Sequence, residues 1–238
     1  MKLWQKLAAE FFGTLVLVGI GTGTIIALSM INQGPGPRDA GTLVAVSMAF
    51  GLALMTALYM VARVSGGHFN PAVSLAVFLN KGIGLTDMLA YWAAQVAGAL
   101  TASAVFAWVL DRASVASSYT HVNQPTVSEV AGFIAEAVFT MVFVFAILVL
   151  AKSQAHTKFM GMGIALAAVH FVGIAFTGAS VNPARSFAPA LVGGHWDAFW
   201  VFVAGPALGA ILAWVLYKFV IAGDLNLADD AKGLRESV

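Results

Sequence analysis

The chain contains no cysteine. That excludes disulfides, thiolate nucleophiles and cysteine-ligated metals. Charge is nearly as scarce. Asp, Glu, Lys and Arg make up 10% of the residues, against roughly 25% in a soluble domain. The net charge of +1 gives no basis for binding nucleic acid or another strongly acidic partner. Five histidines are scattered without metal-ligand spacing. No Ser-His-Asp, phosphate-loop or paired-carboxylate arrangement stands at catalytic spacing, so neither an enzyme nor a cofactor is expected.

What is there is apolar surface. Hydrophobic residues are 60% of the chain, and they gather into six long segments: 4–31, 41–62, 87–110, 127–151, 158–176 and 198–221. Each suits a membrane helix. The first follows Lys2 and Lys6 but is too long for a signal-peptide core, so it reads as a retained span. A turn-rich loop at 32–38, a longer polar connection at 111–126 and a polar tail at 222–238 separate or follow them. With the N-terminus inside, nine Lys and Arg fall on the cytoplasmic side and three, Arg38, Arg112 and Arg185, outside. That asymmetry predicts cytoplasmic termini.

Two short stretches organise the rest. Residues 65–77 read SGGHFNPAVSLAV and residues 177–189 read TGASVNPARSFAP. A shift of 112 residues superposes Asn70-Pro71-Ala72 on Asn182-Pro183-Ala184 and, upstream, Gly51 on Gly163. Proline fixes φ and lacks an N–H, which suits the first helical turn, and the preceding asparagine is a favoured N-cap. Each motif therefore predicts a Gly-rich loop entering a helix of about ten residues, half of what a bilayer needs. Three spans per repeat is an odd number, so the repeats, about 4–111 and 127–221, must be inverted. One membrane domain over 1–238 is expected, with broken helices meeting near its midplane. Non-helical backbone at that depth is tolerated where it lines a water-filled cavity or is buried in protein. Gly19 with Gly23, and Gly205 with Gly209, have the GxxxG spacing of close helix approach.

Charges inside the spans ask for a reason. Glu10 and Glu136 occupy corresponding spans one and four. Their symmetry favours a structural role, accepting backbone N–H groups of the two loops, over proton coupling at one site. Arg185 stands where the first motif has Val73, and His170 where span two has Leu58. A buried arginine must meet water or carbonyls, whereas a lone histidine in an apolar helix is as often a satisfied core residue.

As a set, Ala9-Glu10, Ser65-Gly66-Gly67-His68-Phe69-Asn70 and Asn182-Pro183-Ala184-Arg185-Ser186 resemble the aquaporin, or major intrinsic protein, family over nearly the whole chain. The resemblance implies an all-α membrane protein with six transmembrane helices, two re-entrant half-helices and a pore in each subunit of a homotetramer. It also implies site roles. Asn70 and Asn182 would meet at the pore centre. Phe50, His170, Ala179 and Arg185 would form the constriction. Carbonyls of Gly66, Gly67, His68, Gly178, Ala179 and Ser180 would form an acceptor ladder. Within the family, His170, Ala179, Ser186 and Phe199-Trp200 resemble the water-selective branch. Compact loops point to a prokaryotic plasma membrane.

The expected function is passive water conduction, selective against protons and ions, with the lipid bilayer and water as its partners. The alternative is a multi-solute channel that also passes glycerol, ammonia or hydrogen peroxide. A coupled transporter would want an unpaired midplane acid, and a junction-forming structural protein would want larger loops. Because the chain has no thiol, a mercurial is expected to leave osmotic shrinkage of protein-bearing vesicles unchanged. Stopped-flow light scattering checks this, and inhibition reversed by a thiol reagent would contradict it.

Overall fold

The structure, a computed structural model, describes residues 1–32, 39–123, 126–155 and 157–221. Most of the loop at 32–38, the whole tail at 222–238 and the loop residue His156 lie outside the described residues. The elements in order are α1 (Leu3–Ile31), α2 (Ala40–Ser65), α3 (Pro71–Leu79), α4 (Leu85–Val109), α5 (Arg112–Ala116), α6 (Glu129–Lys152), α7 (Lys158–Thr177), α8 (Pro183–Gly193) and α9 (Val201–Leu216). The last continues as a wider π-type turn over Tyr217–Ile221. Among the described residues six helices are long and apolar enough to cross a membrane, and they coincide with the six apolar segments.

The departures from the sequence reading have local causes. The sixth span starts at Val201 rather than 198. Ala198 takes a left-handed φ of 49°, which keeps regular helix from extending back to that point. The connection at 111–126 contains α5, a single turn started by Asp111, whose carboxylate accepts from Ser114 N at 2.6 Å. Those bonds from Ser114 lower the Asp111 carboxyl below its ordinary range.

The two short helices begin as their sequence predicts. Asn70 Oδ1 accepts from Ala72 N at 2.8 Å. Asn182 Oδ1 accepts from Ala184 N at 3.1 Å and Arg185 N at 3.3 Å. Proline follows each cap at the first helical position. At 9 and 11 residues, α3 and α8 are too short to cross a bilayer, which takes about 20. Both caps are 3% exposed, so these helices start in the protein interior.

Packing follows small residues. α1 packs on α2 and α4, α2 on α7, and α6 on α7 and α9. α2 and α7 cross at Gly51 and Gly163, where a Cβ on either would lie 2.6 Å from the other's carbonyl oxygen. Gly205 and Gly209 press α9 against Glu136, Ala137 and Thr140 of α6. The other GxxxG pair is looser: Gly19 meets nothing nearer than Ala102 Cβ at 3.8 Å, and Gly23 faces the Phe106 ring. A Gly209→Val side chain would lie 2.7 Å from Thr140 Cβ and 2.9 Å from Met141 N. It is expected to lower stability by about 1–3 kcal/mol, while Gly19→Ala leaves the melting temperature unchanged. Thermal unfolding in detergent, read by tryptophan fluorescence, checks the pair.

Candidate functional site

The site is built from the two loops that precede α3 and α8. Both leave their long helix through a left-handed glycine, Gly66 at φ 98° and Gly178 at φ 77°. The next positions are left-handed too, Gly67 at 71° and Ala179 at 49°. So are Phe69 at 51° and Val181 at 44°. Such a conformation costs a non-glycine residue about 1–3 kcal/mol, and a β-branched valine adopts it rarely. Something must hold these loops.

Two buried carboxylates do. Glu10 Oε1 accepts from His68 N at 2.9 Å and Ser65 Oγ at 2.6 Å. Its Oε2 accepts from Phe69 N and Gln95 Nε2, both at 2.7 Å. Glu136 repeats the pattern, with Ser180 N on Oε1 and Val181 N on Oε2, both at 2.8 Å, and Thr177 Oγ1 at 2.6 Å. Both glutamates are fully buried.

The loops are also tied to each other. Asn70 Nδ2 donates to Val181 O at 2.7 Å, and Asn182 Nδ2 donates to Phe69 O at 3.0 Å. Each amide oxygen is held by its helix N-terminus, so the orientation of both amides is determined. An amide nitrogen has two hydrogens. One is used in the cross-loop bond and the second remains for a molecule between the loops.

A narrow cavity runs past these amides. Its walls include Asn70, Asn182, His68, Ser180, Val181, Phe50, His170 and Arg185, with Leu17, Leu54, Phe143 and Leu166 as apolar lining. Of the predicted constriction, Phe50, His170 and Arg185 come together. The Phe50 and His170 rings stack at 4.5 Å. The Arg185 guanidinium lies 5.1 Å from the Phe50 ring centre, within cation–π range. Ala179 is fully buried and stands outside the cavity lining. Of the predicted carbonyl ladder, His68 and Ser180 line the cavity while Gly66, Gly67 and Gly178 stand outside it.

Arg185 is 2% exposed. Its Nη1 donates to Ser118 O at 3.1 Å, and its Nε is buried without a protein partner. His170 Nδ1 lies 2.9 Å from Leu166 O. A carbonyl oxygen only accepts, so Nδ1 carries the proton and in the neutral ring Nε2 is the acceptor; Nε2 too is buried without a protein partner, on a residue that lines the cavity. In the loop before α6, partial desolvation holds His121 below its ordinary value of 6.5, and the Arg185 charge acts in the same direction.

Some participants were not picked out from sequence. Gln95 and Ser74 extend the Glu10 network, and Tyr91 Oη donates to Ser65 O at 2.7 Å. An amide in an otherwise apolar span was the available signal for Gln95. Ser118 contributes a backbone carbonyl, which no side-chain pattern announces. Thr120 Oγ1 donates to Ser186 Oγ at 2.7 Å, fastening that loop to α8.

A model of the major intrinsic protein family matches residues 1–217. The human lens fiber major intrinsic protein is 36% identical over 92% of this chain and 82% of its own length. Glycerol uptake facilitator protein-like 6 of Lactiplantibacillus plantarum is 36% identical over 88% of this chain and 94% of its own. The solved structure of the aquaglyceroporin from Plasmodium falciparum shares the fold, with a TM-score of 0.80 at 22% identity, covering 92% of this chain and 97% of that one. These findings overturn the expectation of a strictly water-selective pore, because a protein named for glycerol uptake is as similar to this chain as the lens protein is. The physical reason lies at His170 and Arg185: an acceptor and a donor beside one aromatic ring match a small alcohol as well as they match water. With its six apolar helices the protein is a multi-pass membrane protein, and the chain belongs to the major intrinsic protein family, whose members are channels and not enzymes.

Proposed function

We propose that the protein is a passive multi-solute channel, passing water and small uncharged polar molecules such as glycerol, ammonia or hydrogen peroxide down their gradients. The observation that carries this reading is a pair of buried polar atoms without a protein partner, Arg185 Nε and His170 Nε2, on two residues that line one cavity with Phe50. A hydroxyl group both donates and accepts, so it finds both partners there. The Phe50 face and the leucines meet a carbon backbone. The relative named for glycerol uptake lends the reading support.

On this reading α3 and α8 are re-entrant half-helices of two inverted repeats, 4–111 and 127–221, within one channel domain. Each N-terminus carries about +0.5 elementary charge from its backbone dipoles. Together with Arg185 they repel cations and protons. The spare N–H groups of Asn70 and Asn182 both donate to a permeating oxygen, which then has no donor role along the file at that point. Pro71, Ala72, Pro183 and Ala184 set the turns that aim the amides. Glu10 and Glu136 hold the loops. Of the expected acceptor carbonyls, those of His68 and Ser180 belong to residues that line the cavity and serve as acceptors on either side, and Ala179, buried behind that lining, adds no bulk to the filter. The excess of Lys and Arg on one side supports cytoplasmic termini in a plasma membrane. The homotetramer is the assembly the family resemblance implies.

Stopped-flow light scattering on proteoliposomes tests the function. Shrinkage under an impermeant osmolyte should be fast, and under glycerol it should be followed by fast reswelling. Shrinkage without reswelling would refute the multi-solute reading. His170→Leu keeps bulk and removes the acceptor, so it is expected to slow glycerol flux by about two- to tenfold, the range of one hydrogen bond's net worth. Unchanged flux in reconstituted vesicles would make His170 a wall and nothing more.

A further inference from the structure

Behind the two Asn-Pro-Ala junctions, on the side away from Asn70 and Asn182, lies a second cavity of about 250 Å³. Its floor is Pro71 and Ala72 of α3 with Pro183 and Ala184 of α8, and its sides are Trp92 and Val96 of α4 with Val203 and Ala207 of α9. The floor is buried: Ala72 is 2% exposed and Ala184 fully covered. The sides run out to the surface. Leu89, Trp92 and Val96 form one stripe of α4 at helical spacing, and Leu89 is 50% exposed. Val203, Ala207 and Ile211 form the matching stripe of α9, with Val203 at 43% and Ile211 at 40% exposed.

We propose that this cavity takes the hydrocarbon chain of a bilayer lipid. Two observations and the physics of filling the space converge on that occupant. The rim is continuous with the exposed apolar flanks of α4 and α9, and in a membrane protein those flanks meet hydrocarbon. The walls carry a single polar side-chain group, the Trp92 indole, and its N–H is already donated to Pro71 O at 3.0 Å. A headgroup, a sugar or any other polar ligand would enter without partners and lose its hydration. A flexible alkyl chain has nothing to satisfy and gains contact along every wall. Left empty, the floor would forfeit those contacts at the point where the strained loops enter their helices. The chain end rests on both first-turn prolines and so braces the junction from behind, on the face opposite the pore.

The test uses the full chain in detergent-free vesicles of phosphatidylcholine bearing a photoactivatable diazirine in one acyl chain. After irradiation, labelled residues are mapped by peptide mass spectrometry. The expected result is labelling of the wall residues Trp92, Val96 and Ala207 as well as the exposed Leu89 and Ile211. Ala207→Phe fills the cavity and should lower labelling at Trp92 and Val96 several-fold, leaving the distant, 40% exposed Phe12 of α1 unchanged. Val203→Phe at the rim should act in the same direction and covers the case in which the first variant does not fold. Labelling confined to Leu89 and Ile211 would overturn the proposal, as would wall labelling that neither filler reduces. A face unlabelled throughout would also overturn it and would point to cover by a second copy of the chain. None of these readouts depends on what the pore conducts.

Discussion

A backbone that leaves its helix inside a membrane protein must find new hydrogen-bond partners, and here two buried carboxylates supply them. An unpaired peptide N–H in an apolar setting costs several kcal/mol. Glu10 takes the N–H groups of His68 and Phe69, and Glu136 takes those of Ser180 and Val181. Each carboxylate spends one oxygen on each of two successive amides, which sets the local direction of the chain. That direction places Phe69 and Val181 in their left-handed conformations and turns their carbonyls to the opposite asparagine. The cross-loop bonds, the helix starts and the cavity walls all follow from it. The glutamates in turn need the spans that carry them, and α6 is pressed against α9 by two glycines beside Glu136.

The halves differ where chemistry differs. In the first, Ser74 Oγ bonds His68 Nδ1 and receives Gln95 Nε2 from a span. In the second, Ser186 Oγ bonds Ser180 Oγ and receives Thr120 Oγ1 from a loop. The shift of 112 residues takes Gln95 to Ala207, so the second half has no amide to offer from its span. Recruiting Thr120 draws the loop at 118–120 over α8. That placement brings Ser118 O to Arg185, where the first half has a buried Val73 and needs nothing. A buried guanidinium is tolerable only with such a partner and with a wet cavity for its remaining N–H groups. The asymmetry at one residue and the course of the loop at 118–120 are one fact.

Much of this was legible in the sequence because it repeats. Six apolar runs placed six helices to within a few residues, and duplicated Asn-Pro pairs placed two helix starts. Symmetric placement made Glu10 and Glu136 readable as loop supports. Features that depend on one backbone atom were not legible. Ser118 acts through its carbonyl, and Ala198 delays the start of the sixth span through φ alone. His170 was legible as a residue and not as a role, because its tautomer is settled by Leu166 O, one turn back in the same helix. GxxxG spacing was right for Gly205 and Gly209 and empty for Gly19, since spacing says which face is flat and not what lies against it.

Selectivity was the least legible property, and the reason is energetic. On the proposed reading the filter treats ions and neutral molecules by different means. An ion that enters loses hydration worth far more than one carbonyl or one donor returns. Arg185 adds repulsion for cations, so charge discrimination is large and follows from residue identity alone. Among neutral solutes the contrast is small. A close-fitting apolar wall separates molecules that differ by one methylene by about 1–3 kcal/mol. That difference is set by tenths of an ångström between the stacked Phe50 and His170 rings and the Arg185 side chain that lines the cavity with them. Residue types at four positions do not carry that dimension. A polar pair such as Arg185 and His170 serves every hydroxyl equally, so the letters that resemble a water channel are compatible with a pore that accepts more than water.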